Sequence, residues 1–202
     1  MINSFENKDN FYESLDKQIF VYEDYSLVPL RMCDRMDIMK WRNDQMYHLR
    51  QTKRLTKKSQ DEYFETVVSS LFSSKRPTQL LFSFLKNNIC IGYGGLVHIN
   101  WTDKNAEISL VLNTSITEQE FTHFWMTFLH LIEEVAFLEV KFHKIFTYGY
   151  EFRTNVFQIL EAYGFTKDAE LTDHCLFESN FINVILHSLI NKTNLIEKTD
   201  GR

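Results

Sequence analysis

Between Pro77 and Trp125 the hydrophobic period changes twice, and few folds accommodate that order. Gln79-Leu-Leu-Phe-Ser-Phe-Leu85 is an apolar run of strand formers, Lys86-Asn87-Asn88 a turn, and Ile89 to Trp101 a second strand interrupted by glycine. Two strands so joined form an antiparallel hairpin. Asp103-Lys104-Asn105 makes the next turn, and Ala106 to Leu112 a third antiparallel strand. Then Thr117-Glu118-Gln119-Glu120 forms a capping box, with acidic residues at the positive end of the coming helix. Phe121, Phe124, Trp125, Phe128, Leu129, Ile132, Val135 and Ala136 recur at steps of three and four, so one face of that helix is core. Three antiparallel strands followed by a long helix exclude a doubly wound parallel sheet and predict a mixed α+β domain.

The flanks extend the pattern. Tyr25 to Arg31 is a first strand, and Asp34 caps a helix carrying Met36, Met39, Trp41 and Met46. Ser59-Gln60-Asp61-Glu62 is a second capping box, leading an apolar face of Tyr63, Phe64, Val67, Val68 and Leu71. His143 to Tyr148 is a strand, a short helix starts at Thr154 and ends before Gly164, and Leu171 to Ile190 holds two strands around Glu178-Ser179-Asn180. The 202 residues suggest a single domain over 25–190, with a polar N-terminal arm over 1–24 and a polar tail over 191–202.

A net charge of -5 argues against a general nucleic-acid binder, which needs a basic face. The run Arg50 to Lys58 is locally basic, either a solvated loop and helix start or a patch for an anionic substrate. The three cysteines, Cys33, Cys90 and Cys175, have neither zinc nor disulfide spacing, and two sit in apolar runs that predict burial. No signal-peptide pattern and no membrane-length apolar run is present, so a cytoplasmic protein without membrane partners is expected. No His, Cys or Asp group has metal-ligand spacing, and no metal is expected.

The order of elements carries a set of short motifs. They are Trp41-Arg42-Asn43 on the first helix, Ile91-Gly92-Tyr93-Gly94-Gly95-Leu96 in a strand, and Ala106-Glu107-Ile108-Ser109 opening the next strand. His143-Lys144-Ile145, Arg153-Thr154-Asn155, Gly164-Phe165, Asp173-His174 and Ile182-Asn183-Val184 follow. In this order and spacing the chain resembles the GNAT superfamily of acyl-CoA-dependent N-acyltransferases. Within it, it resembles the branch of ribosomal-protein N-terminal acetyltransferases and nucleotide-amino-sugar N-acetyltransferases.

The resemblance implies a largely antiparallel central sheet, splayed between its fourth and fifth strands and flanked by helices. Acetyl-CoA would lie in the splay as acyl donor. Its pantetheine would run along the fourth strand, where backbone groups of Leu110, Val111 and Leu112 would also stabilise the oxyanion. Glu107 is the implied base that draws the amine proton through water, and Asn155 the implied contact to the cofactor arm, with helix capping as its alternative. Trp41, Arg42 and Asn43 are the implied acceptor-pocket residues; strand alternation sets His98 opposite its apolar neighbours, and His98 and His174 either line that pocket or are satisfied structural histidines, the branch's Asp-His pair favouring the pocket for His174. The general acid is open, since the position where relatives carry a tyrosine is Leu160; Tyr148, Tyr150 and Tyr163 are the substitutes at hand.

One departure is marked. The family's pyrophosphate loop, R/Q-x-x-G-x-G/A, falls on Glu120-Phe121-Thr122-His123-Phe124-Trp125, without the basic residue or either glycine. Either a longer preceding loop reshapes the site, with Thr114, Ser115, Thr117 or His123 supplying contacts, or the cofactor is held mainly by pantetheine, or the fold is kept without catalysis. The expected activity is acetylation of a small amine, a nucleotide-linked amino sugar first. A protein N-terminal acetyltransferase and a non-catalytic binding protein are the rivals. The oligomeric state is open.

Overall fold

The computed structural model describes residues 10–192. One eight-stranded sheet runs in the order β1-β2-β3-β4-β5-β6-β8-β7. Its strands are β1 (Phe20–Tyr22), β2 (Tyr25–Pro29), β3 (Leu80–Lys86), β4 (Ile89–Asn100), β5 (Asn105–Leu112), β6 (Lys144–Tyr150), β7 (Thr166–Phe177) and β8 (Asn180–Ile190). The helices are α1 (Arg35–Asp44), α2 (Lys57–Glu62), α3 (Ser69–Phe72), α4 (Glu118–Glu133) and α5 (Thr154–Tyr163).

Neighbouring strands pair antiparallel except β5 with β6. That parallel ladder holds only from Asn105 opposite Lys144 to Glu107 opposite Phe146. Beyond Glu107 the two strands part, leaving one edge of β5 without a strand partner. The expected splay is therefore present. It falls between the fifth and sixth strands, because Phe20–Tyr22 adds an unforeseen strand ahead of the one expected first.

Local chemistry explains most elements. Asn87 and Asn88 both take positive φ, which closes β3 and β4 with a two-residue turn whose twist matches the strands. Thr117 and Glu120 form the predicted capping box at the start of α4. Gly164, at φ +117, ends α5 in the left-handed conformation that glycine adopts without a Cβ clash. Gly94 lies where a Cβ would come within 2.1 Å of the Ser109 carbonyl oxygen, so only glycine lets β4 and β5 pair there.

Other local expectations are corrected. Asp34 does not cap α1 with its side chain; Arg31 and Ser83 hold its carboxylate instead. Thr56, not Ser59, caps α2, and Ser59 returns the bond from the third position. A π-helical segment, Tyr63–Val68, follows α2; Val67, expected in the core, is 41% exposed. Cys90 and Cys175, in the apolar runs expected to bury them, are only half-buried, and burial pushes the Cys90 thiol up to about 12.

The expected arm is tied down over its described part. Tyr12 is fully buried and its hydroxyl bridges the Leu81 backbone, while Lys17 pairs with Glu134 at 2.6 Å. Of the expected tail, Asn191 is buried and 193–202 lie outside the described residues. No helix among the described residues is long and apolar enough to cross a membrane.

Candidate active site

Where β5 and β6 part, a cavity of about 650 Å³ opens between the sheet, α1, α2 and α5. Ser109 and Leu110 form one wall, and Thr147, Tyr148 and Gly149 face them from β6. A second cavity, of about 560 Å³, lies at the N-termini of α4 and α5. His48, Arg153 and Val156 line both, so the two meet there.

Glu107 sits at the apex of the splay, 6% exposed. Arg50 is bonded to its Oε1, and His98 Nδ1 lies 2.7 Å from its Oε2. The Arg50 guanidinium also stacks over the Tyr148 ring at 4.5 Å. Burial, with a contact to the Cys175 thiol, pushes the Tyr148 phenol well above its ordinary range, so it stays protonated at neutral pH. Of the three tyrosines considered for the general acid, Tyr148 lines the cavity; Tyr163 bonds Glu133 behind α5, and Tyr150 packs with Phe152 and Phe177.

The charges around this cavity are unbalanced. Arg42, Arg50 and Arg153 line it, and Glu107 is its only lining carboxylate among the described residues. Arg42 donates to Tyr93 Oη at 2.5 Å and to Gln51 Oε1 at 3.0 Å. Arg153 has no carboxylate partner among the described residues; burial lowers it to about 10, still charged at neutral pH. Burial, helped by the Arg153 charge, takes His48 down to about 3, which leaves it neutral.

The sequence-predicted residues divide. His98, Glu107, Arg42 and Leu110 line the first cavity; Leu112, Thr117 and Asn155 line the second. Asn155 is not the cap of α5, a position taken by Arg153. Val111 is buried in the core, 1% exposed, and only its backbone remains available for the expected role. Trp41 is 4% exposed in the core and lines neither cavity, which removes it as an acceptor contact. Asn43 clamps the Leu55 backbone at 2.7 and 2.9 Å and lines neither cavity. His174 lies edge-on to Tyr148 on the outer hairpin. His123 turns toward Tyr25 Oη at 3.1 Å, away from both cavities. Arg50 and Arg153 fell within quoted runs yet were not singled out, because no local pattern reports a contact made across the fold.

The crevice is open at its glycine-free turn. Phe121 and Trp125 line the walls without closing them, and Glu120 is occupied by the Thr117 cap. Arg153 and Asn155 are among the second cavity's groups suited to hold phosphate oxygens, whereas Glu118 and Asp44, the latter accepting from Thr114 Oγ1 at 3.3 Å, oppose them. Chain comparison agrees. A family model described as an acetyltransferase (GNAT) domain matches residues 27–184. The chain belongs to the GNAT acetyltransferase family. As a member of that family this chain is an N-acetyltransferase.

Among solved structures it is similar to spermidine N-acetyltransferase from Vibrio cholerae in complex with CoA and spermine. Identity is 15%, 86% of this chain and 99% of that one are covered, and the TM-score is 0.75. A dodecameric structure of spermidine N-acetyltransferase from the same organism, in an intermediate state, is similar at 14% identity, over 90% and 100% of the chains, with a TM-score of 0.70. No curated protein matches the chain by sequence.

Proposed function

We propose that this GNAT enzyme acetylates a small amine that also carries an anionic group, a nucleotide-linked amino sugar for surface polysaccharide first among them. The observation that carries this reading is the charge of the acceptor cavity. Arg42 has no carboxylate partner among the described residues, Arg50 already holds the one lining glutamate, and Arg153, even with a cofactor phosphate beside it, leaves no surplus negative charge for a polycation. A polyamine such as spermine, which the similar Vibrio enzyme binds, would meet like charge here. A nucleotide diphosphate would find guanidinium partners in planar fork geometry. Tyr63, Phe64 and Tyr93 add aromatic surface for a sugar or base.

When bound, acetyl-CoA supplies an acetyl group activated as a thioester. The chain's own residues orient the amine, keep it unprotonated and exclude bulk water. The unpaired edge of β5 from Leu110 to Leu112 offers backbone N–H groups to the carbonyl oxygen. A working place in the cytoplasm is part of the same reading, supported by three cysteines that are free thiols.

The test is release of free thiol from acetyl-CoA with a panel of nucleotide-linked amino sugars, spermidine and N-terminal peptides. The reading expects kcat/KM for one of the sugars to exceed that for spermidine by at least about tenfold. Faster turnover of spermidine would overturn it, and preference for peptides would favour the protein N-terminal branch.

A further inference from the structure

We infer that His98 is the base that takes the amine proton, and that Glu107 is the residue that positions it. The argument begins in the backbone of β4. Val97 faces Glu107 across the ladder, but the next recorded pair is Asn100 with Asn105. His98 and Ile99 therefore oppose Ala106 alone, which is a β-bulge. His98 takes φ +48 there, a left-handed conformation uncommon for residues with a side chain. Successive residues of a regular strand point to opposite faces. Here Val97 and His98 both line the acyl-transfer cavity, because the bulge turns the imidazole inward.

The second link is the partner. Glu107 comes from the adjacent strand, buried, with Arg50 fixed on its other oxygen. A carboxylate held this way accepts Nδ1–H from His98 and leaves the lone pair on Nε2. Nε2 has no partner among the described residues, and the side chain, which lines the cavity, is 61% exposed to solvent. The groups around the ring are Glu107 on β5, Arg50 from the loop after α1, and Tyr148 on β6, whose phenol stays protonated. Both Glu107 oxygens are engaged, so that residue is better placed to orient a base than to act as one.

The step balances. As the amine nitrogen bonds to the acetyl carbon, its surplus proton passes to His98 Nε2. The carbon–sulfur bond breaks, its electron pair leaves with sulfur, and the proton on His98 is returned to the departing thiolate or to solvent.

Two measurements test this, and neither depends on which amine is accepted. The first is the imidazole tautomer, read by long-range ¹H–¹⁵N spectra of the full chain labelled at histidine, with H98N used for assignment. The wild type is expected to show a protonated Nδ1 and a bare Nε2 at His98, and E107Q a mixture; a protonated Nε2 in the wild type overturns the assignment. The second is kinetic, with whichever sugar, polyamine or peptide the protein turns over. H98A is expected to lose about 100-fold or more in kcat with KM for acetyl-CoA unchanged, and added imidazole to restore part of the rate. E107Q is expected to lose about tenfold and to gain nothing from imidazole. Wild-type turnover by H98A, or a larger loss in E107Q than in H98A, returns the base to Glu107. Failure of the sugar reading would show only as a different amine preference and leaves both measurements intact.

Discussion

Asp34→Asn removes one buried charge at the start of α1 with almost no change in side-chain volume. In the native protein Asp34, 5% exposed, accepts from Arg31 Nε at 2.7 Å, from Arg31 Nη2 at 2.8 Å and from Ser83 Oγ at 2.6 Å. It thereby ties the start of α1, the helix that carries Arg42, to β3. Charge-assisted bonds of this kind contribute about 1.5–3 kcal/mol each, and breaking a buried pair costs about 3–5 kcal/mol in all. Arg31 is 32% exposed, so water recovers part of the loss, which places the expected cost near 3 kcal/mol. For a domain of this length that lowers Tm by about 6–12 °C.

The pH dependence has a definite sign. Burial alone would raise the Asp34 carboxyl, but the bonds from Arg31 and Ser83 outweigh it, and the net shift is downward. Its contribution is therefore full above the unfolded value of about 3.9 and is lost as pH falls through the folded value. Thermal melts of wild type and Asp34→Asn at pH 7 should differ by the stated amount, and urea titrations below roughly pH 4 should bring them together. Equal melting temperatures at pH 7, or a gap that widens on acidification, would refute the reasoning.

Two further outcomes follow from named contacts. Tyr12→Phe should cost about 2 kcal/mol by chemical denaturation, because it orphans the Leu81 N–H in the core, whereas the Leu81 carbonyl keeps its bond from the Leu30 N–H; a change under about 0.5 kcal/mol would mean that the N-terminal segment is not docked as described. Arg153→Met should weaken CoA binding by about tenfold in calorimetry while leaving the melting temperature of the unliganded protein within a few degrees, and an unchanged Kd would remove Arg153 from the phosphate site.

The sequence alone determined whatever depends on residues close together in the chain. The Thr117–Glu120 cap, the turn at Asn87 and Asn88, the left-handed stop at Gly164 and the core face of α4 each follow from local sterics, hydrogen bonding or period. Where local rules failed, a distant partner had won: Asp34 turned from its helix to Ser83 on β3, and His123 turned to Tyr25. Glu107 and Arg42 were legible as candidates because their motifs stand in a recognisable order, and His98 because strand alternation sets it apart from its apolar neighbours. Tertiary structure decided what they do. Arg50 reaches Glu107 across 57 positions, Arg153 comes to the junction of two cavities, and a bulge in β4 swings His98 inward. Such arrangements depend on register and on the point at which β5 leaves β6, and side-chain period in a linear chain carries no record of either.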